Sequence, residues 1–308
     1  MHDASPRATP TALIVAAFAA VVVFLGVNFV AVRVSNRELA PFWGAALRFF
    51  IAGAILLALV RLRRVPLPSG SGLRAAGWFG LLSFGASYAF LYYALLAAPA
   101  GVASVAFATM PLLTLVIAAA FGLERLTGRG VAGGLLAVAG IALVFREQLT
   151  TEVPLASLLA VLAGAAAGAL ATVLLKRAPR MHPLAANAVA MPIGAVSLLA
   201  LSLVAREPIV FPALPLTWGV LAWLVTSSII GFGLLVWILA RWSASAVSYT
   251  AVLMPLVTVT VAAALTGEPL TPALALGGAV TLAGVWLGAL SRPRPAPAAA
   301  APAPGGRA

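Results

Sequence analysis

Displaced by 144 residues, the sequence aligns with itself without a gap. Ser104 falls on Ser248, Met110–Pro111–Leu112 on Met254–Pro255–Leu256, and Thr114 on Thr258. Glu124 falls on Glu268, Leu126–Thr127 on Leu270–Thr271, Gly133–Gly134 on Gly277–Gly278, and Gly140 on Gly284. Sixteen of the 40 positions from 104 to 143 are identical across this offset, a density that marks a duplicated unit. Each copy carries five apolar runs, and an odd number of membrane crossings per copy obliges the second copy to enter upside down. The expected fold is all-α and integral to the membrane, with ten transmembrane helices as two inverted five-helix repeats.

The runs fall at 11–32, 40–60, 75–95, 101–121, 130–145, 154–175, 184–205, 216–240, 245–266 and 272–291. They divide the chain into an N-terminal segment 1–10, a first repeat 11–146, a second repeat 154–291 and a Pro/Ala-rich tail 292–308 expected to be disordered. With 63% hydrophobic and 8% charged residues, and a mean hydropathy of +1.11, the composition lies outside the soluble range. A β-barrel would need alternating strands of about ten residues, which are absent from the pattern. The first run is longer than the core of a signal peptide and is expected to be retained.

The net charge of +12 raises the possibility of nucleic-acid binding, but its distribution points elsewhere. Numbering the links alternately from an inside N-terminus places fourteen Arg and Lys residues in inside segments and four in outside links (Arg33, Arg37, Arg146 and Arg206). That bias predicts cytoplasmic termini and a bilayer partner, and leaves no basic patch for nucleic acid.

Catalytic and metal chemistry find little support. Cysteine is absent, the two histidines are isolated, and Lys176 follows no glycine-rich loop, so no metal and no cofactor are expected. All seven carboxylates lie in links or at span ends, leaving no nucleophile–base or paired-acid arrangement within the bilayer. The chain is not expected to be an enzyme.

The functional candidates are therefore few. Arg48 is the one charge well inside a span, where insertion costs roughly 2.5–3.5 kcal/mol, and Asn28 lies at similar depth in the first span. Arg48 either holds a solute carboxylate or forms a structural link to Asn28 or to backbone carbonyls. Phe84, Tyr88 and Tyr92 recur at helical spacing and are candidates for a cavity wall, the alternative being an interfacial aromatic belt. Trp237, Tyr249, Met110 and Met254 complete the cavity candidates. Pro111 and Pro255 interrupt spans at equivalent points and are hinge candidates, or simply the prolines common in membrane helices. Glu124, Thr127, Glu268 and Thr271 read as structural caps for the helices that follow, and the glycines around 133–140 and 277–284 as sites of close helix packing.

The paired motif Pro-x(12)-Glu-x-Leu-Thr-x(6)-Gly-x(5)-Gly, from Pro111 to Gly140 and from Pro255 to Gly284, resembles the drug/metabolite transporter superfamily, EamA type. The stretch Pro41-x(6)-Arg48-Phe49-x-x-Ala52 is similar to that family's second span. The resemblance implies a small-molecule cavity between the repeats, lined by spans 1, 3, 4, 6, 8 and 9. It also implies export of amino acids or related small metabolites across the bacterial inner membrane; the inverted repeats point to alternating access, and a monomer is the expected form. A multidrug or lipophilic-cation exporter and a solute channel are the alternatives. In span 7, Ala185 and Pro192 replace Pro41 and Arg48, so any binding by Arg48 is one-sided.

Overall fold

The computed structural model describes residues 11–126, 128–148, 153–266 and 271–289, and helix is the only regular structure among them. Thr127, Glu268, the segment 1–10 and the tail 292–308 lie outside the described residues. Ten helical segments follow in order. They are α1 (Thr11–Ser35), α2 (Pro41–Leu62), α3 (Gly70–Phe79, a π-helical stretch Gly80–Ser87, then Tyr88–Ala94), α4 (Ala100–Phe107 and Met110–Ala120) and α5 (Gly128–Gln148). The second half holds α6 (Leu155–Arg177), α7 (Pro183–Val204), α8 (Pro215–Leu239), α9 (Ala244–Ser248 and Thr250–Thr266) and α10 (Pro272–Ala289).

Local chemistry sets these starts. Proline opens α2, α7, α8 and α10, where its missing N–H costs nothing and its fixed φ is already helical. Ser243 Oγ accepts from the Ala246 N–H (3.2 Å) at the head of α9, and Thr271 Oγ1 accepts from the Leu274 N–H (3.1 Å) at the head of α10.

Among the described residues, seven helical stretches are long and apolar enough to cross a membrane: Ala12–Ser35, Pro41–Leu62, Ala100–Ala120, Leu155–Arg177, Pro183–Val204, Pro215–Leu239 and Ala244–Leu265. Within the same residues α10 adds a shorter apolar stretch, Pro272–Gly284, and the π-helical stretch divides α3 into shorter pieces. Burial is inverted relative to a water-soluble protein. Val204, Leu265 and Leu135 are 82%, 74% and 68% exposed, while Arg48 and Asn187 are fully buried. Such an exterior is stable only in lipid.

Equivalent helices of the two halves pack on one another, most extensively α5 on α10 and α2 on α7. The α5–α10 crossing is backbone on backbone. A Cβ on Gly140 would stand 2.7 Å from the Gly277 carbonyl oxygen and press on Thr281, and one on Gly284 would stand 2.6 Å from the Gly133 carbonyl and press on Ala137. The later part of each helix thus meets the earlier part of its counterpart, the geometry of antiparallel rods about a two-fold axis. Gly134 and Gly278, expected to share in this contact, instead face ordinary van der Waals neighbours, Leu112 at 3.9 Å and Val105 at 3.7 Å. In α2–α7, a Cβ on Gly53 would lie 2.8 Å from the ring of Pro192, the residue equivalent to Arg48.

The π-helical stretch of α3 was not foreseen. It lies where α3 and α7 approach through glycines: a Cβ on Gly80 would meet the Ala190 carbonyl, one on Gly85 the Ser197 hydroxyl, and one on Gly194 the Phe84 side chain. The two proline-bearing spans differ in where they are interrupted. α4 is interrupted at Ala108–Thr109, immediately before Pro111, whereas Pro255 lies within a continuous helical stretch and α9 is interrupted at Tyr249.

Candidate functional site

A cavity of about 70 Å³ lies at the centre of the bundle. α1 contributes Leu25, Asn28 and Phe29; α3 contributes Phe79, Ser83, Ser87, Tyr88 and Leu91; α4 contributes Phe107 and Met110. The second half supplies Gly168 and Thr172 from α6, Phe232 and Leu235 from α8, and Val247, Ser248, Thr250, Ala251 and Met254 from α9. The lining helices are therefore those of spans 1, 3, 4, 6, 8 and 9. The π-helical stretch brings Ser83 and Ser87 into the wall. The α4 interruption leaves Met110 at the rim, and the α9 interruption places Ser248 and Thr250 there. A space this size holds a few waters and no drug-sized molecule.

Aromatic and hydroxyl groups dominate the wall. Thr172, Ser248 and Thr250 each donate to a carbonyl one helical turn back (2.9, 2.8 and 3.0 Å), so their oxygens keep lone pairs for a guest. Ser83, Ser87, Thr172, Ser248 and Thr250 were missed in the sequence. The available signal was hydroxyl residues within apolar spans, with Ser83 and Ser87 separated by one helical turn.

Of the residues expected to line a cavity, Asn28, Tyr88, Met110 and Met254 do so. Phe84, Tyr92 and Arg48 sit behind the wall. Phe84 packs against Phe49 (5.0 Å between centroids), Phe79 (5.4 Å) and Phe232 (4.7 Å), and Tyr92 is fully buried beside Tyr88. Trp237 and Tyr249 lie away from the cavity. Trp237 stacks under the Arg241 guanidinium (3.8 Å) at the end of α8, and Tyr249 packs in a separate cluster with Leu112, Ala137 and Val252.

Arg48 is fully buried, and its guanidinium lies 5.0 Å from the ring centroids of both Phe49 and Tyr88. Its Nε donates to Ser228 Oγ (2.7 Å), while Nη1 and Nη2 have no hydrogen-bond partner. The neighbouring Ser227 donates to Asn28 Oδ1 (2.8 Å), leaving Asn28 Nδ2 unpartnered. Arg48 and Asn28 are thus joined through consecutive serines of α8. The Tyr88 and Tyr92 hydroxyls lie within electrostatic reach of the guanidinium, yet the Tyr92 hydroxyl makes no well-formed hydrogen bond.

Both ends of the bundle are tied. At the end bearing the α1–α2 and α7–α8 links, Glu207 accepts from the Phe42 and Trp43 N–H groups (3.2 and 2.9 Å) and Glu38 from those of Ala213 and Leu214. Each carboxylate therefore neutralises the start of a helix in the other half. The Thr217 side chain, then the Ala213 N–H, hold the Glu38 carboxyl below its ordinary pKa, against a smaller upward push from burial. Arg33 donates to the Ala98 carbonyl and Asn36 to that of Tyr92 (2.8 and 2.9 Å). At the opposite end, Lys176 Nζ donates to the Leu239 and Trp242 carbonyls (both 2.7 Å). Glu124 accepts from Ser245 Oγ (2.7 Å) at the head of α9.

The family model for EamA-like transporters matches residues 12–146 and 155–289. A "Probable amino-acid metabolite efflux pump" of Salmonella typhimurium (strain LT2) is 27% identical over 280 residues, covering 87% of this chain and 91% of the relative. The protein of the same name from Escherichia coli K12 matches to the same extent. The "Uncharacterized inner membrane transporter YedA" of Escherichia coli K12 is 30% identical over 266 residues, or 84% and 85% of the two chains. A solved crystal structure, 22% identical, superposes with a TM-score of 0.67 over 92% of this chain and 100% of that one, a likeness of fold.

Proposed function

We propose that this chain, which belongs to the EamA-like transporter family, exports amino acids or related small metabolites by alternating access across the cytoplasmic membrane. It is a multi-pass membrane transporter; the solute class and the direction are our reading. The observation that carries it is the central cavity, whose hydroxyl and aromatic wall is drawn from both halves of the chain and suits a small amphipathic solute. The names of the Salmonella and Escherichia relatives point to the same class.

The reading takes residues 11–146 and 154–291 as two repeats of opposite orientation. Sequence duplication and the antiparallel α5–α10 crossing support it. A cavity of about 70 Å³ between tied ends fits a closed form, midway between states open to either side. Loading a solute then requires one set of end contacts to part while the other holds. The charge bias of the links supports cytoplasmic termini.

The test is purified protein in liposomes preloaded with a mixture of unlabelled amino acids, followed by counterflow of the labelled mixture. Accumulation above protein-free liposomes is the expected result. No counterflow, together with flux of lipophilic cations, would replace this reading by multidrug export.

A further inference from the structure

We infer that Arg48 forms a carboxylate subsite reached from the central cavity past the ring of Tyr88, so that a carboxylate is the group by which this transporter recognises its solute. The inference rests on the proposed function and narrows its solute class. An arginine at zero exposure, with no carboxylate paired to it among the described residues, leaves an uncompensated buried charge. Such a charge is costly unless an anion or well-placed acceptors answer it. The two aromatic faces and Ser228 answer part of it. The edge formed by Nη1 and Nη2, which matches a carboxylate two-to-two, has the Tyr88 and Tyr92 hydroxyls close by but no well-formed hydrogen bond and no carboxylate among the described residues.

The neighbouring groups are arranged to favour an acceptor. Ser228 anchors Nε and so fixes the plane of the fork, and Ser227 anchors Asn28 Oδ1 so that its Nδ2 donor is left over. The Tyr92 hydroxyl is likewise buried and unpartnered. Three buried donor groups on three helices thus lack an acceptor in one region. Asn28 and Tyr88 line the cavity, whereas Arg48 and Tyr92 do not. Tyr88 is shared: it forms the cavity wall and carries the guanidinium against its ring. Rotation of that one side chain would open the cavity onto the guanidinium. The second half offers no equivalent, since Pro192 occupies the matching position and packs on Gly53. One solute carboxylate per transporter is therefore the capacity of the site, and an organic cation would meet like charge.

The experiment uses purified full-length protein and thermal stabilisation at constant ionic strength. The three probes are leucine, 4-methylpentanoate (the carboxylate without the amine) and 3-methylbutylamine (the amine without the carboxylate). Both carboxylate probes are expected to stabilise the wild-type protein and the amine to have no effect. Arg48→Gln should raise the half-effective concentration of the two carboxylates roughly 10- to 100-fold, the range for losing charge-assisted hydrogen bonds. Arg48→Lys should fall between, retaining charge without the fork. If Arg48→Gln fails to fold, the wild-type comparison decides alone. Equal stabilisation by the amine, or by none of the three, overturns the subsite, as does an Arg48→Gln response matching wild type. Counterflow of the amino-acid mixture separates this failure from that of the transport reading: counterflow with no carboxylate preference sinks only the subsite.

Discussion

The α5–α10 crossing offers the sharpest quantitative test of the fold. Alanine at Gly140 places a Cβ 2.7 Å from the Gly277 carbonyl oxygen and 2.5 Å from Thr281 Oγ1. Ordinary carbon–oxygen contacts begin near 3.3 Å, so the helices must part by roughly half an ångström or more. The obstruction is backbone, not the end of a flexible side chain, so it cannot rotate away. Overpacking of this kind costs about 1–3 kcal/mol, against about 1 kcal/mol gained from alanine's better helix propensity. Gly284→Ala meets the Gly133 carbonyl and Ala137 in the same way and should behave alike. Gly134→Ala and Gly278→Ala, with nothing nearer than 3.9 and 3.7 Å, should be neutral or slightly stabilising. Thermal unfolding of the detergent-solubilised protein reads the difference, at roughly 2–4 °C per kcal/mol for a chain of this order. The Gly140→Ala/Gly284→Ala pair should lose less than the sum of its parts, because the first substitution has already opened the crossing. If Gly140→Ala is as harmless as Gly134→Ala, the close antiparallel crossing is wrong.

Three further outcomes follow from the geometry. The chain contains no cysteine, so single cysteines at positions 124 and 268 should label from opposite sides of the membrane; labelling from one side contradicts inversion. Glu38 titrates below its ordinary range, so its contribution to stability is complete above the unfolded carboxylate range and disappears as pH falls through the lower folded value. Glu38→Gln should therefore unfold at a lower temperature than wild type at neutral pH and converge with it in acid; parallel curves would rule out this link. Gly194→Ala drives a Cβ into Phe84 and the Gly80 carbonyl (3.0 Å), so it should displace the π-helical stretch and abolish counterflow. Full counterflow by that variant would sever the stretch from transport.

Much of the architecture was legible in the chain because lipid demands uninterrupted backbone hydrogen bonding and long apolar runs. The predicted span 216–240 meets α8 at Pro215–Leu239, and 184–205 meets α7 at Pro183–Val204, each begun by a proline. Tertiary contacts decided the rest. Nothing local in Gly80–Ser87 distinguishes it from ordinary α-helix; its widened turn sits where Gly80, Gly85 and Gly194 let α3 close on α7. Phe84, Tyr88 and Tyr92 do share a face, with centroids 6.5 and 6.2 Å apart. That face turns towards Arg48 and Phe49, so Tyr88 alone of the three reaches the cavity. Glu124 reaches Ser245, 121 residues away, a contact that spacing along the chain does not reveal. Depth in the spans singles out Arg48 and Asn28 from sequence, but their connection through Ser227 and Ser228 depends on the rotation of α8, which periodicity in a uniformly apolar helix leaves open.

The widened turn of α3 has no counterpart in α8, whose Pro215–Leu239 course is unbroken α-helix. Swapping the roles of the two halves therefore fails to regenerate the same molecule. In the alternating-access cycle proposed above, the conformers facing either compartment would not be energetic twins, and the empty carrier would lean towards one of them before any solute binds.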